Sequence, residues 1–187
     1  PRLNNCTWPG LIEHFAVSSG TSSGTTKYIP CTRDMLSSNT KAAMDLLVHH
    51  VTNRPTSSIL GGKNFLLGGS TELTSPDRNL EMVVHGGVNF SPYIDRFREI
   101  LKGSSAELRE VYPASEGFIA IADRAFGEGL KLNLDHGIFY EFVPLEELSS
   151  ATPTRHWIAN VEPEVNYALV MTTCAGLWSY VIGDTVR

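Results

Sequence analysis

Ser18–Pro30, reading SSGTSSGTTKYIP, is the stretch from which the rest of the chain is interpreted. Every residue from Ser18 to Thr26 is Ser, Thr or Gly; Lys27 closes the run and Pro30 ends it. Gly20 and Gly24 admit backbone angles that other residues avoid, so such a chain can curl and turn its N–H groups inward. The hydroxyls add donors and Lys27 adds a positive charge. A concavity lined with donors suits a phosphate chain. Ser/Gly-rich runs also serve as flexible linkers, and for the run alone that reading stays open. Against it stand the apolar flanks, Phe15 and Val17 before and Tyr28 and Ile29 after, and the terminal lysine. The run is not a Walker loop, since Lys27 does not follow a glycine and no Ser or Thr follows the lysine. It lacks GxGxxG spacing as well.

With 187 residues the chain can bury one sizeable core, and 42% hydrophobic against 19% charged residues marks a globular sequence rather than a disordered one. A formal charge of −5 argues against nucleic acid or an anionic membrane as the main partner. A phosphate ligand must then be held by local donors. Cys6, Cys31 and Cys174 are odd in number, widely spaced and without a CxxC pair, so reduced thiols and a cytoplasmic location are expected. No apolar run approaches the ~20 residues of a membrane helix. PRLNNCTWPG is not a signal peptide, and a start at Pro1 makes a fragment, a processed product or a partial reading frame the expectation.

Residues 1–17 read as irregular up to the glycine loop. Asn39 or Thr40 is expected to cap a helix running to about Asn53, with Ala43, Met44, Leu47, Val48 and Val51 on its core face. His49 and His50 fall near its C-terminus, where the dipole favours histidine. Strands are expected at 64–67, 80–85, ending at Val111-Tyr112, and at 118–122, 130–134, 138–143, 167–173 and 178–182. A helix should start near Ser91-Pro92 and bury Tyr93, Phe97 and Leu101. Helices early and strands late predict an α/β fold, a mixed sheet with flanking helices.

Three further motifs accompany the loop. Tyr112-Pro113-Ala114-Ser115-Glu116-Gly117 offers a ring, a hydroxyl and a carboxylate, the last able to hold Mg²⁺; a plain strand–turn–strand with an exposed Glu is the alternative. Tyr180-Val181-Ile182-Gly183-Asp184 presents one carboxylate to donors such as ribose hydroxyls, or is simply a Gly-Asp turn. His85-Gly86-Gly87-Val88-Asn89-Phe90 would let a flat ring approach the backbone, or holds a satisfied, half-buried histidine.

Taken in this order, the four motifs resemble the firefly-luciferase-like adenylate-forming superfamily. The wording SSGT…GTTKYIP, HGGVNFSPY, YPASEG and TTCAGLWSYVIGD is similar to the auxin-responsive acyl-acid amido synthetases and their bacterial-type relatives, across nearly the whole chain. The resemblance implies part of the large N-terminal domain of such an enzyme, and an ATP-dependent acid–amino acid ligase. It implies that Ser18, Ser19, Thr21, Ser22, Thr25 and Lys27 surround the ATP phosphates. Gly86, Gly87 and Val88 would line the adenine and Tyr112 would flank it. Ser115 would contact the α-phosphate, Glu116 would hold Mg²⁺, and Asp184 would bind the ribose hydroxyls. Lys27 and Glu116 are the catalytic candidates, ATP and Mg²⁺ the cofactors, and a carboxylic acid and an amino acid the partners.

The family's enzymes are longer. The resemblance therefore implies that 1–187 is a partial ATP- and acyl-adenylate-binding domain, with an internal deletion near 73–79 and no C-terminal domain. Unpaired strand edges left by such a deletion would invite association. A non-catalytic nucleotide-binding remnant and a structural or interaction fragment are the competing readings.

Overall fold

The computed structural model describes residues 3–18, 26–59, 61, 63–66, 80–87 and 90–187. The elements are β1 (Leu3–Asn4), β2 (Leu11–Ile12), β3 (His14–Ser18), β4 (Lys27–Cys31), α1 (Arg33–Asn53), β5 (Lys63–Leu66) and β6 (Leu80–Gly86). After a 3-10 turn at Ser91–Tyr93 come α2 (Ile94–Ile100), β7 (Glu107–Ala114), β8 (Gly117–Ile121), β9 (Lys131–Leu132) and β10 (Ile138–Pro144). A second 3-10 turn, Leu145–Glu147, leads to β11 (Tyr167–Thr173) and β12 (Tyr180–Val186). The fold is mixed α/β, and the chain divides into two compact units.

The first unit comprises residues 1–39, 115–117 and 134–187. Its N-terminal stretch is not irregular: β1 pairs with β2, and β3 pairs antiparallel with β4 from His14↔Cys31 to Ser18↔Lys27. Short strands with few inward residues carry too little alternation to be read from sequence. α1 begins at Arg33, six or seven residues before the expected cap at Asn39 or Thr40. Thr32 is the capping residue, its Oγ1 accepting the Met35 N–H at 3.1 Å and donating to the Cys174 carbonyl at 2.9 Å. Asp34 in the first turn suits the helix dipole and accepts from Trp8 Nε1 at 2.9 Å. Met35, Cys174 and Ala175 form a small core with Trp8 against it.

The unit's main sheet is the antiparallel meander β10-β11-β12. Its middle strand is a continuous buried run, Tyr167 to Met171, as a strand covered on both faces must be. The sequence of β10 sets Phe139, Glu141 and Val143 against Tyr140 and Phe142; Ile138, Tyr140 and Phe142 are buried and Phe139 is exposed, but Val143 is buried too, so the alternation ends at Phe142. β12 carries a bulge. Ala168 pairs with Thr185, but Val170 pairs with Val181, so Ile182, Gly183 and Asp184 stand opposite Leu169 alone. Gly183 lies at φ +100°, which explains why glycine is needed there.

The second unit comprises residues 40–114 and 118–133. Its sheet has the order β5-β6-β7-β8-β9, with β5, β6 and β7 parallel and β9 antiparallel to β8. Parallel neighbours require a crossover, which α2 supplies between β6 and β7. Leu46 of α1, Ile59, Met82, Val84, Val111 and Ile121 form the core. Each such side chain contributes about 1.5–3 kcal/mol through burial. The inward face of α1 here is Ala42, Leu46 and His50, whereas Met44, Val48 and Val51 are exposed. Two apolar stripes at helical spacing compete along this helix, and periodicity alone does not choose between them. On α2, Ile94 and Phe97 are half-buried, while Tyr93 is exposed.

Candidate functional site

In the first unit, β3 and β4 close on Ser18↔Lys27, so the two strands bracket the hydroxyl-rich run at its base. Ser19, Thr21, Ser22, Thr25 and Val88 lie outside the described residues, as does the break expected near 73–79. Lys27 is half-buried, and its Nζ stands 5.5 Å from the centroid of the Tyr180 ring, within cation–π reach. The Tyr180 hydroxyl raises the Lys27 pKa above its usual value; some desolvation opposes this, and the carboxylates of Glu116 and Asp184 raise it further. The hydroxyl is buried without a partner of ordinary hydrogen-bond geometry among the described residues. The Lys27–Tyr180 contact is therefore better described as a cation against a ring than as a formed hydrogen bond.

Lys27, Glu116 and Asp184 thus share one electrostatic neighbourhood. Chain topology explains how residues so distant in sequence meet: Lys27 opens β4, Glu116 sits in the two-residue turn between β7 and β8, and Asp184 rides the bulge of β12. Glu116 is only 6% exposed, not the exposed glutamate of the plain-turn alternative. Its charge is among those that favour the protonated form of Lys27. Ser115 and Asp184 are exposed. Asp184 is not at a strand end in a Gly-Asp turn; it lies within β12, where the bulge re-aims it.

Gly86, Gly87 and Tyr112 belong to the second unit. Gly86 ends β6 opposite Val111, next to Tyr112. A Cβ at Gly86 would lie 2.2 Å from the Val111 carbonyl oxygen, so only glycine fits beside β7. Gly87, at φ +81°, turns the chain out of the strand. His85 is not a satisfied, half-buried histidine. It is 2% exposed, its ring nitrogens have no hydrogen-bond partner among the described residues, and it stacks on Phe90 at 3.8 Å and 14°. Burial pushes its pKa down to about 4.

Tyr180 is the residue that sequence reasoning quoted within its motif but did not assign to the site. Its place four residues before Asp184 was no guide, because the bulge between them interrupts the period of two. Among the described residues, no group of three His, Cys, Asp or Glu side chains could hold a metal alone. No described helix is long and apolar enough to cross a membrane.

The glycine end of β6, the acidic β7–β8 turn and the bulged β12 are carried by a mixed α/β fold. Residues 4–76 match the family model described as the GH3 family N-terminal domain, and residues 132–187 match that of the GH3 family central domain. The chain belongs to the GH3 family. A comparison with curated protein sequences finds no match. Among solved structures it is similar to the Arabidopsis acyl acid amido synthetase AtGH3.15 in complex with 2,4-DB, with a TM-score of 0.63 and 14% identity. That similarity covers 97% of this chain and 54% of the other, so the chain spans about half the length of the structure it matches.

Proposed function

We propose that this chain carries the nucleotide-handling part of an ATP-dependent acid–amino acid ligase. The carrying observation is the shared field of Lys27, Glu116 and Asp184 in one unit, at the base of the hydroxyl-rich run. Membership of the GH3 family and the likeness to an acyl acid amido synthetase support the reaction class.

In this reading a substrate carboxylate oxygen attacks the α-phosphorus of ATP, and the bond to pyrophosphate breaks. An amino-acid nitrogen then attacks the acyl carbon, loses a proton, and AMP leaves. Lys27 places positive charge where phosphate oxygens gain negative charge, and it stays protonated because Tyr180, Glu116 and Asp184 favour its charged form. The Ser18, Ser19, Thr21, Ser22 and Thr25 hydroxyls and backbone N–H groups supply further donors to the phosphates, and Ser115 reaches the α-phosphate. Asp184 accepts from the ribose hydroxyls. Gly86, Gly87 and Val88 leave room for the adenine, and Tyr112 flanks it.

Glu116 fits Mg²⁺ as a single buried carboxylate. Mg²⁺ usually takes one or two protein carboxylates and completes its shell with phosphate and water oxygens. When bound, the ion would neutralise developing charge on the phosphates.

The test is an equilibrium titration of ATP and AMP, followed by pyrophosphate release with a panel of carboxylic acids. Asp184→Ala should weaken ATP and AMP alike, by roughly 10–100-fold, since one charge-assisted hydrogen bond is worth about 1.5–3 kcal/mol. Glu116→Ala should remove the Mg²⁺ dependence of ATP binding. Unchanged AMP affinity in Asp184→Ala would refute the ribose role. ATP binding without pyrophosphate release would leave a nucleotide-binding module.

A further inference from the structure

His49 and Lys131, 82 residues apart, meet in the second unit, where Lys131 Nζ stands 3.2 Å from His49 Nε2. Core packing brings them together. Leu46 of α1 and Ile121 of β8 share one hydrophobic cluster, so the helix lies against that strand. His49 follows Leu46 by about one helical turn. Lys131 of β9 is the residue paired with Ile121. His50 is fully buried, but His49 is half-buried and Lys131 is exposed, so small molecules in solution reach the amine. The nucleotide reading uses neither residue.

An ammonium carries donors only, so this contact requires His49 Nε2 as the acceptor, in a neutral imidazole with its proton on Nδ1. Among the described residues Lys131 has no carboxylate partner; what it touches is a base. The chain has five lysines, and two others set the comparison. Lys27 lies over the Tyr180 ring, and Tyr180, Glu116 and Asp184 favour its charged form. Lys102 is exposed just after α2, with no side-chain hydrogen bond or ion pair among the described residues. Lys131 differs from both, because its neighbour can take up a proton.

An amine attacks an acyl carbon as the free base, and its nitrogen sheds a further proton as the C–N bond forms. Imidazole is suited to accept that proton near neutral pH. The pair itself supplies a nucleophile and a base, not oxyanion donors, so the acyl donor has to bring its own activation. A mixed anhydride of a carboxylic and a phosphoric acid does so, because the phosphate departs as a stable anion.

We propose that Lys131 is a covalent acylation site, modified by acyl phosphates and acyl-adenylates with His49 as the general base. The bond from Nζ to the acyl carbon forms, the acyl C–O bond to the phosphate oxygen breaks, and phosphate or AMP leaves with the electron pair. The first proton of the ammonium goes to solvent, the second to His49 Nε2 and from there to solvent. The acylated lysine loses its charge and keeps one N–H to donate to His49. The site does not rest on the ligase reading, since an acyl phosphate made by another reaction serves equally.

The test exposes the full chain to acetyl phosphate and follows each lysine by site-resolved mass spectrometry over time. Lys131 should be acetylated roughly tenfold faster than Lys102 or more, a modest share of what a positioned base contributes. Lys27 should be slower than both. His49→Gln should bring the Lys131 rate down to that of Lys102 and leave Lys102 unchanged. A Lys131 rate no greater than that of Lys102 in the unaltered chain overturns the proposal without recourse to any variant. So does an unchanged Lys131 rate in His49→Gln. A second arm, with ATP, Mg²⁺ and butyrate in place of acetyl phosphate, separates the two donors. Butyrylation of Lys131 there makes the chain's own acyl-adenylate a donor. Acetylation in the first arm without butyrylation in the second assigns the site to acyl phosphates from another reaction. Failure of the ligase reading empties the second arm alone, whereas failure of this proposal shows in the first.

Discussion

Acidification should destabilise this protein through its buried histidines, His85 most of all, with His50 also held toward its neutral form by burial. The His85 ring is 2% exposed, stacked on Phe90 and close to Phe126, and burial lowers its pKa from 6.5 to about 4. The unfolded chain therefore binds more protons between these two values. Stability is fully present above the unfolded pKa and is lost as pH falls toward the folded one. The complete effect is about 3 kcal/mol, at 1.36 kcal/mol per pKa unit. Between about pH 7 and about pH 5 it is about 2 kcal/mol, roughly a twentyfold to thirtyfold change in the unfolding constant. Carboxylates titrate in the same range, so the comparison must be differential. His85→Phe keeps a flat ring against Phe90 but cannot take a proton. Urea unfolding of both proteins at the two pH values isolates the histidine, and an NMR titration of its ring reads the folded pKa directly. Equal pH slopes in the two proteins, or a ring titrating near 6.5, would refute the reasoning.

Three further outcomes follow from the backbone and from the Lys27 contact. Gly183→Ala should cost about 1–3 kcal/mol, because the residue sits at φ +100° in the β12 bulge, and it should also weaken AMP binding by re-aiming Asp184; thermal melts and an AMP titration check both. Gly86→Ala must displace the Val111 carbonyl, 2.2 Å from the new Cβ, and should lower the melting temperature by more than Gly87→Asn does, since the space around Gly87 is open. Tyr180→Leu should lower the Lys27 pKa and destabilise the fold slightly, while Tyr180→Phe keeps the ring under the ammonium and changes stability less. Lysine side-chain NMR and denaturant unfolding separate the two.

Much of this fold is written locally. β11 was legible because an apolar run of five, Tyr167–Met171, is too short for a buried helix and suits a covered strand, and β10 because it alternates from Ile138 to Phe142. α2 was legible from Pro92 at a helix start. The start and inward face of α1 were not. Asn39 and Thr40 have cap chemistry as Thr32 does, and the Thr32 hydroxyl is held in the capping role by the Cys174 carbonyl, 142 residues away. The β12 bulge was hidden because its register depends on which β11 residues lie opposite.

The amino-acid order by itself determined the chemical inventory: a hydroxyl-rich run closed by Lys27, an acidic turn at Glu116, an aspartate after Gly183, and glycines where backbones crowd. These depend on residue type and short spacing, which no partner segment can alter. Tertiary structure decided which of them meet. It alone buried Glu116, set Tyr180 beneath Lys27 and assigned Tyr112 and Gly86 to another unit from Asp184. Burial, charge compensation and strand register are sums over residues far apart in the chain, and a one-dimensional pattern does not carry them.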